Sequence, residues 1–237
     1  MNVARRRLPL VLVGNALMRV AAGASGVLVG IYMADLANHG LKVDAALVGI
    51  LGAISFVAEL VGAVPMGLAS DALAPRALMI SGSLLAAMAT QLFGMSGHAS
   101  IFFLSRALEG LGAAAITPSL LAHLTDVTAD DYALRARIMS YFEISLLAGL
   151  GLGGLVGSQL WRVFHTRAFS VVAFAYVLCA GLLFLGAVGS RGYGSKQAIF
   201  RFFSCSRRAV IAAVGPSLAV CQYDRRLVAG ANALYFL

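Results

Sequence analysis

Apolar residues fall into six long runs separated by short polar links, at 8–34, 45–69, 77–96, 101–121, 138–160 and 168–188. Each run is about 20–27 residues, enough for a helix rising 1.5 Å per residue to cross roughly 30 Å of hydrocarbon. The links cover 35–44, 70–76, 97–100, 123–137 and 161–167, and such short connections predict antiparallel neighbours in a compact bundle. All six runs are rich in Gly and Ala, which lets helix backbones approach closely in lipid. The pattern predicts an all-α integral membrane protein, a six-transmembrane-helix bundle over residues 1–189. The first run is an uncleaved span and not a signal peptide, because Asn15 and Arg19 interrupt it and it continues to Met33.

Composition agrees with this reading. The chain is 60% hydrophobic and 12% charged, whereas soluble domains carry about 25% charged residues. The net charge of +8 would suit nucleic acid in a soluble protein. Here the basic residues sit in links and in the tail, where they read as topology and lipid-headgroup charge, so no nucleic-acid partner is expected. With the N-terminus inside, the cytoplasmic side receives Arg5, Arg6, Arg7, Arg76, Arg135, Arg137 and every basic residue after Val188. The outer side receives only Lys42, Arg162 and Arg167. This bias puts both termini in the cytoplasm and the protein in the cell (inner) membrane. Residues 190–237 read as a basic cytoplasmic tail without a folded domain. After Gly194 the apolar spacing stops resembling spans, as a frameshift would also produce. Three cysteines, Cys179, Cys205 and Cys221, form neither a disulfide framework nor a metal motif, and no cofactor or metal is expected. His39, His98, His123 and His165 lie near span ends without ligand spacing and read as interface residues. Asp126, Asp130 and Asp131 read as an acidic solvated loop.

Candidate chemistry lies with the ionisable residues inside the runs, since charge in a bilayer is costly. Arg19 stands about 10 residues into the first run from the inner side, and Glu59 about 10 residues before the inner end of the second. Both therefore lie roughly 15 Å deep, and an ion pair between them is expected. That pair would either pin two helices or line a substrate or proton pathway. Arg106 and Glu109, three residues apart in the fourth run, share a helix face. Glu143 reads as a structural or snorkelling charge near the inner boundary. The glycines Gly149, Gly151, Gly153, Gly154 and Gly157 include a dinucleotide-like spacing, but no strand precedes it and no water-exposed helix start follows. They read as helix packing, with Gly149, Gly153 and Gly157 on one face and Gly110 and Gly112 doing the same in the fourth run.

Two strings resemble signatures of the major facilitator superfamily. Gly67-Leu-Ala-Ser70-Asp71-Ala-Leu-Ala-Pro75-Arg76 is similar to the G-x-L-A-D-R-x-G-R-R signature between helices two and three. Arg106-Ala-Leu-Glu109-Gly110-Leu-Gly112-Ala-Ala is similar to the R-x-x-Q-G-x-G-x-A signature of helix four. The resemblance covers residues 8–188 and implies the N-terminal six-helix half of a twelve-helix transporter. It implies a secondary active, proton-coupled permease for a small-molecule substrate, not an enzyme, with Gly67, Asp71 and Arg76 in a cytoplasmic gate loop. Arg106 would take part in proton coupling, with Glu109 beside it and Arg19 and Glu59 as further pathway charges. Ala72, Ala74 and Pro75 replace two basic residues and a glycine of the first signature, which implies a weaker latch. Glu109 replaces the usual glutamine. The fifth-run glycines are similar to the antiporter signature but lack its Gly-Pro step, so they support export only slightly. The resemblance also implies that a monomer of this chain is an incomplete transporter, either a truncated form or a half that works with a second copy of itself as partner. The alternative from another class is a non-transporting membrane scaffold.

The charge bias sets a topology test. Reporter fusions after Lys42 and after Gly189 are expected to report outside and inside respectively, and the reverse pattern would overturn the orientation.

Overall fold

The computed structural model describes residues 3–39, 43–72 and 74–187. Six α-helices account for nearly all of them: α1 Val3–Asn38, α2 Ala45–Ala72, α3 Pro75–Met95, α4 Ala99–Val127, α5 Tyr132–Phe164 and α6 Ala168–Gly186. A 3-10 turn, His165–Arg167, joins the last two. By length and hydropathy, Tyr132–Gly186 is one apolar stretch of 55 residues. As a straight helix it would be about 80 Å long, so the turn makes it two crossings. The tail predicted at 190–237 lies outside the described residues.

Helix ends differ from the predicted runs mainly around the fourth link. The expected loop over 123–137 is largely helical, because α4 continues to Val127 and α5 begins at Tyr132. Asp131 is the N-cap of α5 and accepts from the Leu134 amide at 2.9 Å. Its carboxylate also lies 3.9 Å from Arg5. One of the three acidic loop residues thus has a structural task.

The pairing of helices also departs from chain order. The principal contacts are α1 with α5, α3 with α4, α2 with α4, and α6 with both α1 and α3, whereas α1 and α2 barely touch. Directions still alternate. Gly149, Gly153 and Gly157 climb α5 beside Arg19, Gly23 and Ala24 of α1, so these two helices run parallel. Gly82 of α3 meets Gly112 and Ile116 of α4, while Phe93 meets Phe102, so that pair is antiparallel.

Glycine makes these approaches possible. A Cβ on Gly153 would stand 2.7 Å from the Val20 carbonyl oxygen and from the Gly23 Cα, and one on Gly157 would stand 2.7 Å from the Ala24 oxygen. Gly82 and Gly112 would each drive a Cβ to 2.7 Å from the other's carbonyl oxygen. Gly110 lets α4 press on the Ser55 carbonyl of α2. Lipid offers little hydrophobic drive for helix association, so close backbone contact supplies the packing energy.

Side chains close the two ends of the bundle. At one end, Tyr32 is surrounded by Phe93, Phe102, Phe169 and Trp161, with ring centroids 5.5–6.1 Å from its own. Its hydroxyl donates to the Ser96 carbonyl at 3.2 Å. At the other end, Arg7 donates to the Leu185 carbonyl at 2.8 Å and Arg76 to the Phe184 carbonyl at 2.6 Å. Arg76 also lies over the Phe184 ring, 4.2 Å from its centre. Two guanidinium groups therefore cap the C-terminus of α6, where unpaired carbonyls concentrate negative potential.

The glycine seams give a paired test. Gly153→Leu must force backbone apart and is expected to destabilise the protein by on the order of 3 kcal/mol or more. Gly151→Leu, where an added Cβ meets nothing within 4 Å, is expected to leave detergent melting curves unchanged.

Candidate functional site

Arg106 and Glu109 are buried in α4, 6% and 8% exposed. Their spacing sets both side chains on the face turned toward α2 and α6. The Arg106 Nη1 donates to Glu109 Oε2, forming an ion pair. The Arg106 Nε donates to the Leu51 carbonyl of α2 at 3.3 Å. The other Glu109 oxygen accepts from the Tyr176 hydroxyl of α6 at 3.3 Å. Three helices thus meet on one net-neutral polar cluster, in which every charge has an opposite partner.

Beside the cluster lies a cavity of about 470 Å³ lined by all six helices, α3 contributing only Ala86. Arg106, Glu109 and Tyr176 form part of its wall, and Arg19 and Glu59 enter it from α1 and α2. The expected Arg19–Glu59 ion pair is not present: among the described residues the ion pairs are Arg5–Asp131, His39–Asp35 and Arg106–Glu109. The reason is the packing order, since α1 seats on α5 and α6 and not on α2. Arg19 instead donates to Thr117 Oγ1 at 3.3 Å and lies 5.7 Å from the centre of the Phe142 ring.

The gate-loop residues are not gathered at this cavity. Gly67 lies near the end of α2, where its carbonyl accepts from Ser70 Oγ at 2.8 Å. Asp71 stands in the last turn of α2. Arg76 is committed to the α6 terminus. Glu143 is exposed on α5. His123, expected at the interface, is instead 1% exposed, because α4 continues past it and wraps it in the bundle.

Two polar contributors escaped the sequence reading. Tyr176 is the one tyrosine in the sixth run, and a phenol in hydrocarbon needs a hydrogen-bond partner, which was the available signal. Asn15 is buried on α1 and donates to Ser145 Oγ of α5 at 2.5 Å, a link that no local spacing announces.

A family profile described as Major Facilitator Superfamily matches residues 11–218. Multidrug resistance protein 2 of Bacillus subtilis (strain 168) is 28% identical over 139 residues, covering 56% of this chain and 34% of that protein. The Gentisate transporter of Corynebacterium glutamicum is 25% identical over 160 residues, covering 68% and 34%. The chain spans about a third of the length of these curated relatives. Among solved structures, the peptide transporter POT in complex with alafosfalin superposes with a TM-score of 0.69 at 20% identity, over 87% of this chain and 44% of that one. That likeness concerns the fold.

The cluster predicts a graded response. Glu109→Gln leaves Arg106 buried without a counter-charge and is expected to cost about 3–5 kcal/mol. Tyr176→Phe removes one neutral donor and is expected to cost about 1 kcal/mol. Glu143→Gln, at an exposed position, is expected to cost nothing measurable. Thermal unfolding in one detergent ranks the three, and a Glu109→Gln protein as stable as the wild type would overturn the assignment.

Proposed function

The chain belongs to the Major Facilitator Superfamily, a family of membrane transporters and not of enzymes, and from that premise we propose that it works as a proton-coupled secondary transporter of small amphipathic molecules. The observation that supports the reading best is the buried Arg106–Glu109–Tyr176 cluster in the wall of the cavity. When a carboxylate held between a guanidinium and a phenol takes up a proton, its ion pair loses the charge attraction and the phenol turns from donor to acceptor, so the whole cluster must rearrange. Protonation there is coupled to the packing of α2 and α6 against α4, which is the physical requirement for linking a proton to a movement. Arg19 and Glu59 serve as pathway charges in this reading, and Gly67, Asp71 and Arg76 belong to the inner gate.

A second six-helix unit, a second copy of the chain, closes the pathway from the other side. Support comes from α2 and α5, which expose Phe56, Leu60, Val61, Leu147 and Leu155 and flank the cavity. Alternating access then follows from rocking of the two units about the cavity. Export is the direction favoured by the likeness to a multidrug resistance protein. Residence in the cell membrane with both termini in the cytoplasm accords with the distribution of basic residues.

The test is flux. Reconstituted chain, weighed by light scattering, is placed in liposomes that contain a pH-reporting dye, and lipophilic amine and carboxylate probes are added across a proton gradient. Probe-dependent proton movement is expected from a dimer and is expected to be lost in Arg106→Ala. A transporting monomer would overturn the second copy, and well-folded protein without flux would overturn transport in favour of a scaffold.

A further inference from the structure

The cavity holds two opposite charges, Arg19 and Glu59, that attract each other across it without touching, and neither forms an ion pair with any other described residue. Arg19 has five N–H donors. One of its Nη groups reaches Thr117, and its Nε is buried without an acceptor. Glu59, partly buried on α2, has neither an ion-pair nor a hydrogen-bond partner among the described residues. Arg106 cannot compensate Glu59, because Glu109 already neutralises it within the wall. Glu143 attracts Arg19 only from a distance, since it is exposed on α5, forms no ion pair and lies outside the lining. The remaining surface is largely apolar, with Met18, Phe56 and Leu150 among the lining residues.

We propose that this cavity binds a small zwitterion, with the acid group on Arg19, the ammonium on Glu59 and an apolar body against Phe56 and Leu150. The inference rests on the transport reading and adds the substrate class. An anion alone would satisfy Arg19 but bring a second negative charge toward Glu59. A cation alone would satisfy Glu59 and leave Arg19 unpaired. A charge without a contacting partner at this depth is expensive, and attraction across the cavity offsets only part of that cost, so a ligand that carries both signs relieves both groups. The two charges sit on helices that scarcely touch, so a bound zwitterion also bridges α1 to α2. Charge complementarity of this kind selects by penalising the wrong ligand as much as by attracting the right one.

The experiment compares three probes with one apolar body: phenylalanine (zwitterion), its N-acetyl derivative (anion) and its methyl ester (cation). Binding to the reconstituted full chain is measured in phosphatidylglycerol nanodiscs. Phenylalanine is expected to bind roughly tenfold or more tighter than either relative. Glu59→Gln is expected to bring phenylalanine down to the level of the N-acetyl derivative, and Arg19→Gln to bring it down to the level of the ester. Size-exclusion profiles identify variants that fail to fold, and in that case the wild-type ranking decides alone. Equal binding of all three, preference for one sign, or no binding would overturn the proposal. Adding phosphatidylethanolamine to the discs separates two sources of the same chemistry: competition assigns the site to a lipid headgroup, and unchanged binding to a free solute. Flux of some other solute without zwitterion preference sinks the substrate class and spares transport. Zwitterion binding without any flux does the reverse.

Discussion

Close contact between helix backbones is the constraint on which the rest of this structure depends. In lipid the tails are as apolar as leucine, so helices gain little by merely burying side chains against one another. The protein answers with glycine at the seams: Gly149, Gly153 and Gly157 against α1, Gly82 against Gly112, and Gly110 against the backbone of α2. Once α4 lies that near α2, Arg106 can reach the Leu51 carbonyl. Once α3 and α4 are locked together, α6 can seat on α3 and bring Tyr176 within reach of Glu109. The polar cluster is therefore a product of the small residues around it.

The same geometry divides the charges of the interior into two kinds. Arg106 and Glu109 are neighbours on one helix and neutralise each other wherever that helix goes. Arg19 and Glu59 arrive from different helices, and their separation is set by tertiary packing. The ion pair of the first travels with α4 while its ties to Leu51 and Tyr176 follow the neighbouring helices, and the separation of the second registers any change of packing. A wall with one ion pair in contact and two opposite charges held apart is polar enough to recognise a ligand and apolar enough to remain stable in a membrane.

Much of the fold was legible in the sequence. Six apolar runs became six helices, and Gly149, Gly153, Gly157, Gly110 and Gly112 lie at backbone contacts as their spacing suggested, whereas Gly151 faces open space and Gly154 meets only the Val27 side chain. The i, i+3 relation of Arg106 and Glu109 was legible for the same reason. What could not be read was which helix lies beside which. Depth arithmetic put Arg19 and Glu59 at one level, and chain order suggested adjacency, but α1 packs on α5 and α6. Tyr176, Asn15 and the burial of His123 were missed on the same grounds: their partners and coverings come from helices distant in sequence. Loop lengths were overestimated because polarity marks the edge of the hydrocarbon, whereas α4 and α5 continue beyond it to the Asp131 cap.

The arginine caps on α6 have a consequence for the order in which the molecule is made. Arg7 is translated well before its acceptor at Leu185, which lies 178 residues later. At translation rates of about 5–20 residues per second, roughly 10 to 35 seconds separate the two. Throughout that interval α1 is already synthesised, and its Arg7 guanidinium is without the carbonyl that it will bind. Arg76 waits for a shorter time on the same account. Helix α6 is thus received by groups laid down well before it, and its insertion is the event that closes this end of the bundle.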